Sequence, residues 1–205
     1  MPEADTPHEI SLAVWDLATP LIVNRRAGMK VGAKCSAGCP LTGRQIEIHN
    51  EAGAMVAGAA LGPALWPGTS ALYWSELSVP APCAPGAYSW GVILESPSPA
   101  DPHAGASSSF SFLSVPVPDH TVRVIVIEKT SQRPLPQVLA RLGPFRVTTD
   151  DSGIALLEAP KGSYELAVWK AGYEALPMTV DVKGDVTVQI EIQVAAEPES
   201  EYWMG

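Results

Sequence analysis

The chain has 205 residues and a net charge of −9, with 13 basic and 22 acidic side chains. Residues 1–118 carry 5 basic and 9 acidic groups and residues 119–205 carry 8 and 13, so the halves stand at −4 and −5. Neither half offers the clustered Lys and Arg that phosphate backbones require, which argues against nucleic acid as a partner.

Charged residues are only 17%, while Pro reaches 20 and Gly 17, a balance that suits short strands and tight turns. No uninterrupted apolar run approaches the ~18 residues of a membrane-spanning helix. Residues 1–9 lack a basic and then apolar leader pattern, and the three cysteines are odd and sparse. Both features fit a reducing compartment, so a cytoplasmic protein is expected, with export as the alternative if a leader has been removed.

Taken in order, His8 to Trp15 reads as a strand with Ile10, Leu12 and Val14 on one face. Leu21 to Val23 resumes after Thr19-Pro20, and Arg25 to Gly28 reads as a turn. Met29, Val31, Ala33 and Cys35 alternate with Lys30, Gly32 and Lys34, which points Cys35 inward. Ser36 to Gly43 is a loop. Gln45 to His49 and Ala54 to Leu61 are further strands, and Trp66 lies on a Pro-Gly loop. In the strand Ser70 to Val79, Leu77 and Val79 fix the inner face, so Tyr73 points in and Trp74 out. Tyr88, Trp90, Val92 and Leu94 line the next core face, and Phe110 and Phe112 belong to the last strand of this half.

Val115-Pro116-Val117-Pro118-Asp119 is a short, stiff linker. Beyond it, Val122 to Ile127 and Val138 to Leu142 are β-branched or apolar runs. Asp150-Asp151-Ser152-Gly153 and Pro160-Lys161-Gly162-Ser163 are turn signals. Between and after them lie Ile154 to Leu157 and the alternating Tyr164, Leu166 and Val168, with Trp169 on the outward phase. The tail, residues 195–205, carries Glu197, Glu199 and Glu201 and then Tyr202-Trp203-Met204.

The fold class that follows is all-β, in two tandem β-sandwich domains: residues 1–114, a linker 115–119, residues 120–194 and the tail 195–205. The motif APGAYSW resembles the sixth strand of an immunoglobulin-like or fibronectin-III-like sandwich. Tyr88 takes the tyrosine-corner place, and Trp90 stands where an antibody domain has its second Cys. In residues 120–194, TDDSG, PKGSY and KAGY follow one another in the order of the carboxypeptidase regulatory-like, transthyretin-like or CnaB-type sandwich. That resemblance implies a non-catalytic accessory module. Its internal isopeptide bond would need Lys129, Glu158 and an Asn on the closing strand, and residues 186–194 contain no Asn.

Candidate chemistry is sparse. Cys35, Cys39 and His103 fall at one end of the first sandwich and form three donors of a zinc-type set, but a fourth is missing. The preferred reading is a buried apolar Cys35 with Cys39 incidental, ahead of a Cys35–Cys39 disulfide and then of a metal site, and Cys83 belongs to the opposite end. No metal ligand set and no cofactor are therefore assigned. Asp150-Asp151 reads as a solvated turn rather than a calcium site. No catalytic motif occurs, and the chain is expected not to be an enzyme. Trp66, Trp74, Trp169, Tyr202, Trp203 and Met204 are the candidate partner-binding residues, since aromatics are enriched at protein interfaces. The expected function is an accessory or adaptor subunit that binds a protein partner. The alternative is a carbohydrate-binding or adhesion module of an exported protein.

Overall fold

The structure is a computed structural model and describes residues 8–95, 103 and 105–195. The chain separates into two compact units, Met1–Pro116 and Val117–Gly205. Regular structure among the described residues is entirely β.

The first unit contains β1 (Ile10–Trp15), β2 (Leu21–Ile22), β3 (Arg26–Cys35), β4 (Gln45–His49), β5 (Met55–Ala60), β6 (Tyr73–Pro80), β7 (Gly86–Leu94) and β8 (Ala106–Val115). One sheet has the order β1-β3-β6 and the other β2-β8-β7-β4-β5. The first strand thus divides between the sheets, with β1 antiparallel to β3 and β2 parallel to β8. This is an immunoglobulin-like sandwich. Its core draws Met29, Val31, Ala33, Cys35, Leu77 and Val79 from one sheet. From the other come Ile46, Ile48, Trp90, Val92, Leu94 and Phe112. The inward phases expected of β3, β6 and β7 follow, because a one-residue slip would carry a whole apolar row into water.

Boundaries shift where pairing outweighs local turn chemistry. Arg26 to Gly28, expected as part of a turn, extend β3 opposite Ser78 to Pro80. The Arg26 side chain anchors this end by donating from Nε to the Ser78 hydroxyl at 3.1 Å. The turn lies earlier, where the Arg25 N–H donates to the Ile22 carbonyl at 3.1 Å and Asn24 adopts φ 58°. Val115 belongs to β8 opposite Ile22, so the connection to the second unit is residues 116–119.

The second unit contains β9 (His120–Glu128), β10 (Leu139–Leu142), β11 (Phe145–Thr148), β12 (Ile154–Ala159), β13 (Gly162–Trp169), β14 (Tyr173–Glu174), β15 (Met178–Val182) and β16 (Val186–Val194). Its sheets are β12-β9-β16-β14 and β11-β10-β13-β15, and β16 runs parallel to β9. Val122, Val124, Ala155, Leu157, Ile190 and Ile192 meet Ala140, Leu142, Leu166, Val168, Val180 and Val182 in its core.

Asp150 forms an Asx turn, its Oδ1 accepting the N–H groups of Ser152 and Ile154 at 2.9 and 3.0 Å. Lys129 follows the end of β9, whereas Glu158 lies opposite Thr121 near its start. An isopeptide pair would need these two side chains to meet, and they sit at opposite ends of the strand.

One local device recurs in both sandwiches. In Pro85-Gly86-Ala87-Tyr88 the tyrosine hydroxyl donates to the Ala84 carbonyl at 2.9 Å. In Pro160-Lys161-Gly162-Ser163-Tyr164 the hydroxyl donates to the Pro160 carbonyl, also at 2.9 Å. Each ring folds back over the residues that start its strand. At Gly162 a Cβ would stand 3.1 Å from the Tyr164 ring, so any larger residue would crowd the ring where it folds back.

A second device closes β9. Glu128 accepts the N–H groups of Thr130 and Ser131 at 3.0 and 2.8 Å. The Ser131 hydroxyl and these N–H groups hold its carboxyl down to about 2.

Tyr88→Phe and Tyr164→Phe should each cost ~0.5–1.5 kcal/mol in denaturant unfolding, the value of one net hydrogen bond. Trp90→Ala, which empties a core site, should cost ~3–5 kcal/mol. Equal and small losses from all of these would contradict the packing described. For Glu128, a depressed folded pKa contributes stability that is complete above the unfolded value of about 4.3 and disappears as pH falls toward the folded one. The difference in melting temperature between the wild-type protein and Glu128→Gln should therefore be constant above about pH 5 and close as the pH approaches 2.

Candidate metal centre and the aromatic surfaces

β1 and β3 are antiparallel with Ile10 opposite Cys35, so the start of β1 lies beside the end of β3. The loop after β3 then fixes what precedes β1. Ser36 donates its N–H to the Glu9 carbonyl at 2.9 Å and accepts the Glu9 N–H on its hydroxyl at 3.1 Å. With Glu9 held at both backbone groups, His8 is directed over the loop. Gly38, at φ 73°, turns the chain back, with its N–H on the Cys35 carbonyl at 3.0 Å. That left-handed residue brings Cys39 around to Cys35. From the other sheet's side, His103 in the connection between β7 and β8 forms a parallel bridge with His8.

Four donor side chains therefore converge. One ligand atom from each of His8, Cys35, Cys39 and His103 lies within 4.8 Å of the others. Cys39 Sγ is 3.2 Å from His8 Nδ1, and the two imidazoles meet edge to face at 5.4 Å. Cys35 and His103 are buried, at 0% and 6% exposure.

Burial pushes the Cys35 thiol up. The N–H groups of Cys39 and Ala37, with the side chains of Cys39 and His103, outweigh it and bring the thiol down to about 6. N–H groups aimed at a sulfur stabilise the thiolate, which is the form that ligates metals. His103 Nδ1 also receives Arg44 Nη2 at 3.0 Å.

Three of these donors, Cys35, Cys39 and His103, are legible in the sequence, where a fourth is missing and no metal is assigned. The structure corrects that count, and the fourth is His8. Its signal was present in the order of elements: if β1 and β3 are antiparallel neighbours, the segment that leads into β1 must lie near the residue that closes β3. Cys83 is exposed in the β6–β7 connection and stands apart from the group.

The candidate aromatics fall into separate environments. Trp66 and Trp74 are half-buried and pack with Trp15 across the outer face of the β1-β3-β6 sheet. Trp15 and Trp66 meet edge to face at 5.0 Å, and so do Trp66 and Trp74. Lys30 Nζ lies 5.2 Å from the Trp66 ring centre and pairs with Asp16 at 2.6 Å. Trp66 and Trp74 are thus largely used in covering their own sheet.

Trp169 is different. It is 67% exposed at the end of β13, directly opposite Leu139 on β10, itself 38% exposed. On the same face Arg141 stands opposite Arg146, and among the described residues neither guanidinium pairs with a carboxylate. Tyr202, Trp203 and Met204 lie outside the described residues.

No protein-family model matches the chain, and no curated protein matches it closely. Among solved structures it is similar to the CARDB domain of a Pyrococcus furiosus protein, with 15% identity and a TM-score of 0.37 over 53% of this chain and 95% of that one. It is also similar to the major pilin subunit of Bacillus cereus, with 9% identity and a TM-score of 0.33 over 89% and 69% of the two chains. A third is the Bacillus anthracis TIE protein, at 10% identity and a TM-score of 0.32; this chain aligns over 90% of its own length and spans 41% of that protein. The two-sandwich architecture itself stands on the strands and registers given above. No helix is long and apolar enough to cross a membrane among the described residues.

In reduced, metal-free protein a thiol reagent should modify Cys83 first and Cys35 only on unfolding, because Cys83 is exposed and Cys35 has no accessible surface. Peptide mapping of the labelled chain checks the order. Early labelling of Cys35 would place that sulfur outside the core.

Proposed function

We propose that the chain is a non-catalytic accessory module that binds a protein partner on the outer face of the β11-β10-β13-β15 sheet. The observation that carries this reading is Trp169, 67% exposed and paired across strands with Leu139. A large aromatic on a rigid strand gives wide contact area at little entropic cost, and Trp with Arg is the usual composition of an interface anchor. Arg141 and Arg146 flank it, and Glu165 is the acidic group on the neighbouring row. The partner that fits is a protein segment carrying carboxylates beside an apolar side chain, one that meets the guanidinium pair as it covers the indole. Facing arginines on one sheet surface repel each other, and bound carboxylates would relieve that repulsion.

Two finer readings accompany this one. The second sandwich is taken as the carboxypeptidase regulatory-like type, supported by the order of its turn motifs and by β9 and β16 lying side by side in parallel. A reducing compartment is supported by the odd number and sparseness of the cysteines. The alternative is a carbohydrate-binding module that stacks a sugar on the open Trp169 ring.

A photo-crosslinking residue placed at position 169 in the native cell should yield an adduct with one protein. The same residue at Thr187, exposed on the opposite sheet, should not. Trp169→Ala and the charge reversal Arg141→Glu should abolish or weaken that complex while changing stability by no more than ~0.5 kcal/mol, as for surface positions generally. A protein adduct from Thr187 and none from position 169 would overturn the assignment of this face. Retention on polysaccharide that Trp169→Ala removes would transfer the face to the carbohydrate alternative.

A further inference from the structure

We propose that His8, Cys35, Cys39 and His103 form a closed, tetrahedral site for a zinc-type divalent cation, which clamps the two sheets of the first sandwich at one end. The donor set carries the choice of ion. Two sulfurs and two imidazoles are the ligands of structural zinc, whereas calcium and magnesium take oxygen. Four protein donors leave no position open for water or substrate, so the site is structural rather than catalytic.

The geometry is already close to what the ion needs. With Zn–S near 2.3 Å and Zn–N near 2.0–2.1 Å, the edges of a tetrahedral Cys2His2 site measure about 3.3–3.8 Å. Here every donor pair lies within 4.8 Å and one stands at 3.2 Å. The movement required at the longest pair is therefore on the order of 1 Å, within the reach of side-chain rotation.

The four donors come from three separated places: the segment leading into β1, the end of β3 with its following loop, and the β7–β8 connection. β1 and β3 belong to one sheet, and β7 and β8 to the other. A bound ion would cross-link both sheets and the leading segment at a single point. Antibody domains cross-link their sheets by a disulfide whose second position is filled here by Trp90, buried at 4% exposure.

Binding has a defined proton and hydrogen-bond balance. Each cysteine that ligates as thiolate releases its proton to solvent, so affinity rises with pH. A neutral imidazole has one lone pair. When that pair goes to the metal, the other ring nitrogen carries the proton and cannot accept from Arg44. Metal binding therefore displaces the contact between Arg44 Nη2 and His103 Nδ1. Arg44 competes with the ion for His103.

The test uses the full chain, reduced and stripped of metal, titrated with Co²⁺ and then Zn²⁺. One equivalent of Co²⁺ should produce the intense visible absorption of tetrahedral cobalt together with a thiolate-to-cobalt charge-transfer band, and Zn²⁺ should bleach both. Zn²⁺ should also raise the melting temperature. Cys39→Ser and His8→Gln, at half-buried positions that spare the core, should each weaken Zn²⁺ binding at least about 100-fold, since even outer-shell partners are worth 10–100-fold. Cys83→Ser should leave it unchanged. Arg44→Met should bind Zn²⁺ more tightly than the wild-type protein.

A weak, octahedral cobalt spectrum, or a full charge-transfer band in Cys39→Ser, would overturn the site. Undiminished Zn²⁺ affinity in His8→Gln would remove His8 from it. A Cys35–Cys39 disulfide in protein isolated from its own cells would replace the metal by a covalent loop and end the proposal. The aromatic face of the second sandwich plays no part in any of these readings.

Discussion

The pairing of β1 against β3, with Ile10 opposite Cys35, is the constraint on which the most distinctive part of the molecule depends. It decides that the residue opening the first strand and the residue closing the third share one end of the sandwich. Ser36 then holds Glu9 by both backbone groups, and Gly38 returns Cys39 toward the strand it has just left. Each of these is an ordinary backbone requirement: satisfied N–H and C=O groups, and a residue able to take positive φ. Convergence of His8, Cys35 and Cys39 follows from them, and His103 joins from the β7–β8 connection through its bridge with His8. The cost is electrostatic. Two sulfurs, one of them favoured as thiolate, are gathered at a largely buried end, and Arg44 reaches the same group through His103.

The same economy appears in the tyrosine motif that both sandwiches use. A proline and a glycine shape the chain ahead of the strand, and the tyrosine two places after the glycine bonds back to a carbonyl four residues upstream. The device satisfies a carbonyl that no ladder would reach, and it places an aromatic ring at the edge of the core. In the first sandwich this ring continues into a stack: Tyr88 lies 5.7 Å from Phe112, which meets Trp90 edge to face at 4.9 Å. In the second, Tyr164 meets Phe145 at 6.0 Å. Unrelated strand orders thus share one solution to the start of a strand.

Much of the fold was legible in the sequence, because alternation is a strict signal wherever one face is buried. Met29, Val31, Ala33 and Cys35 could only point inward together, and so could Trp90, Val92 and Leu94. What alternation does not carry is partner and extent. The segment Arg26 to Gly28 has turn composition and yet pairs with β6, and strands as short as β2 and β14 leave too few residues to show a period. The metal-type cluster was legible for Cys35, Cys39 and His103, which share a loop end. His8 escaped because its membership depends on which strand β1 pairs with, and period alone cannot tell. Trp74 was legible as an outward strand residue and Trp66 as a loop residue, but not as each other's cover, since that contact runs between a loop and a strand close in space and loosely specified in sequence.

The outer face of the second sandwich departs from good local practice in three ways at once. A tryptophan stands two-thirds in water, a leucine opposite adds apolar surface, and two arginines face each other across neighbouring strands. Any one of these is common on a protein surface. Together, on a single pair of registers and in a chain of net charge −9, they form a positively charged, apolar spot on an acidic molecule. Like charges opposite one another in a sheet oppose its pairing by some tenths of a kcal/mol, and exposed indole and leucine surface gains nothing from folding. A sequence selected for stability alone would place a carboxylate at one of the two arginine positions and a polar side chain at the tryptophan. These local rules are broken together at one spot, while the core beneath is packed in the ordinary way by Ala140, Leu142, Leu166 and Val168, so the departure belongs to the outer surface alone and not to the fold that carries it.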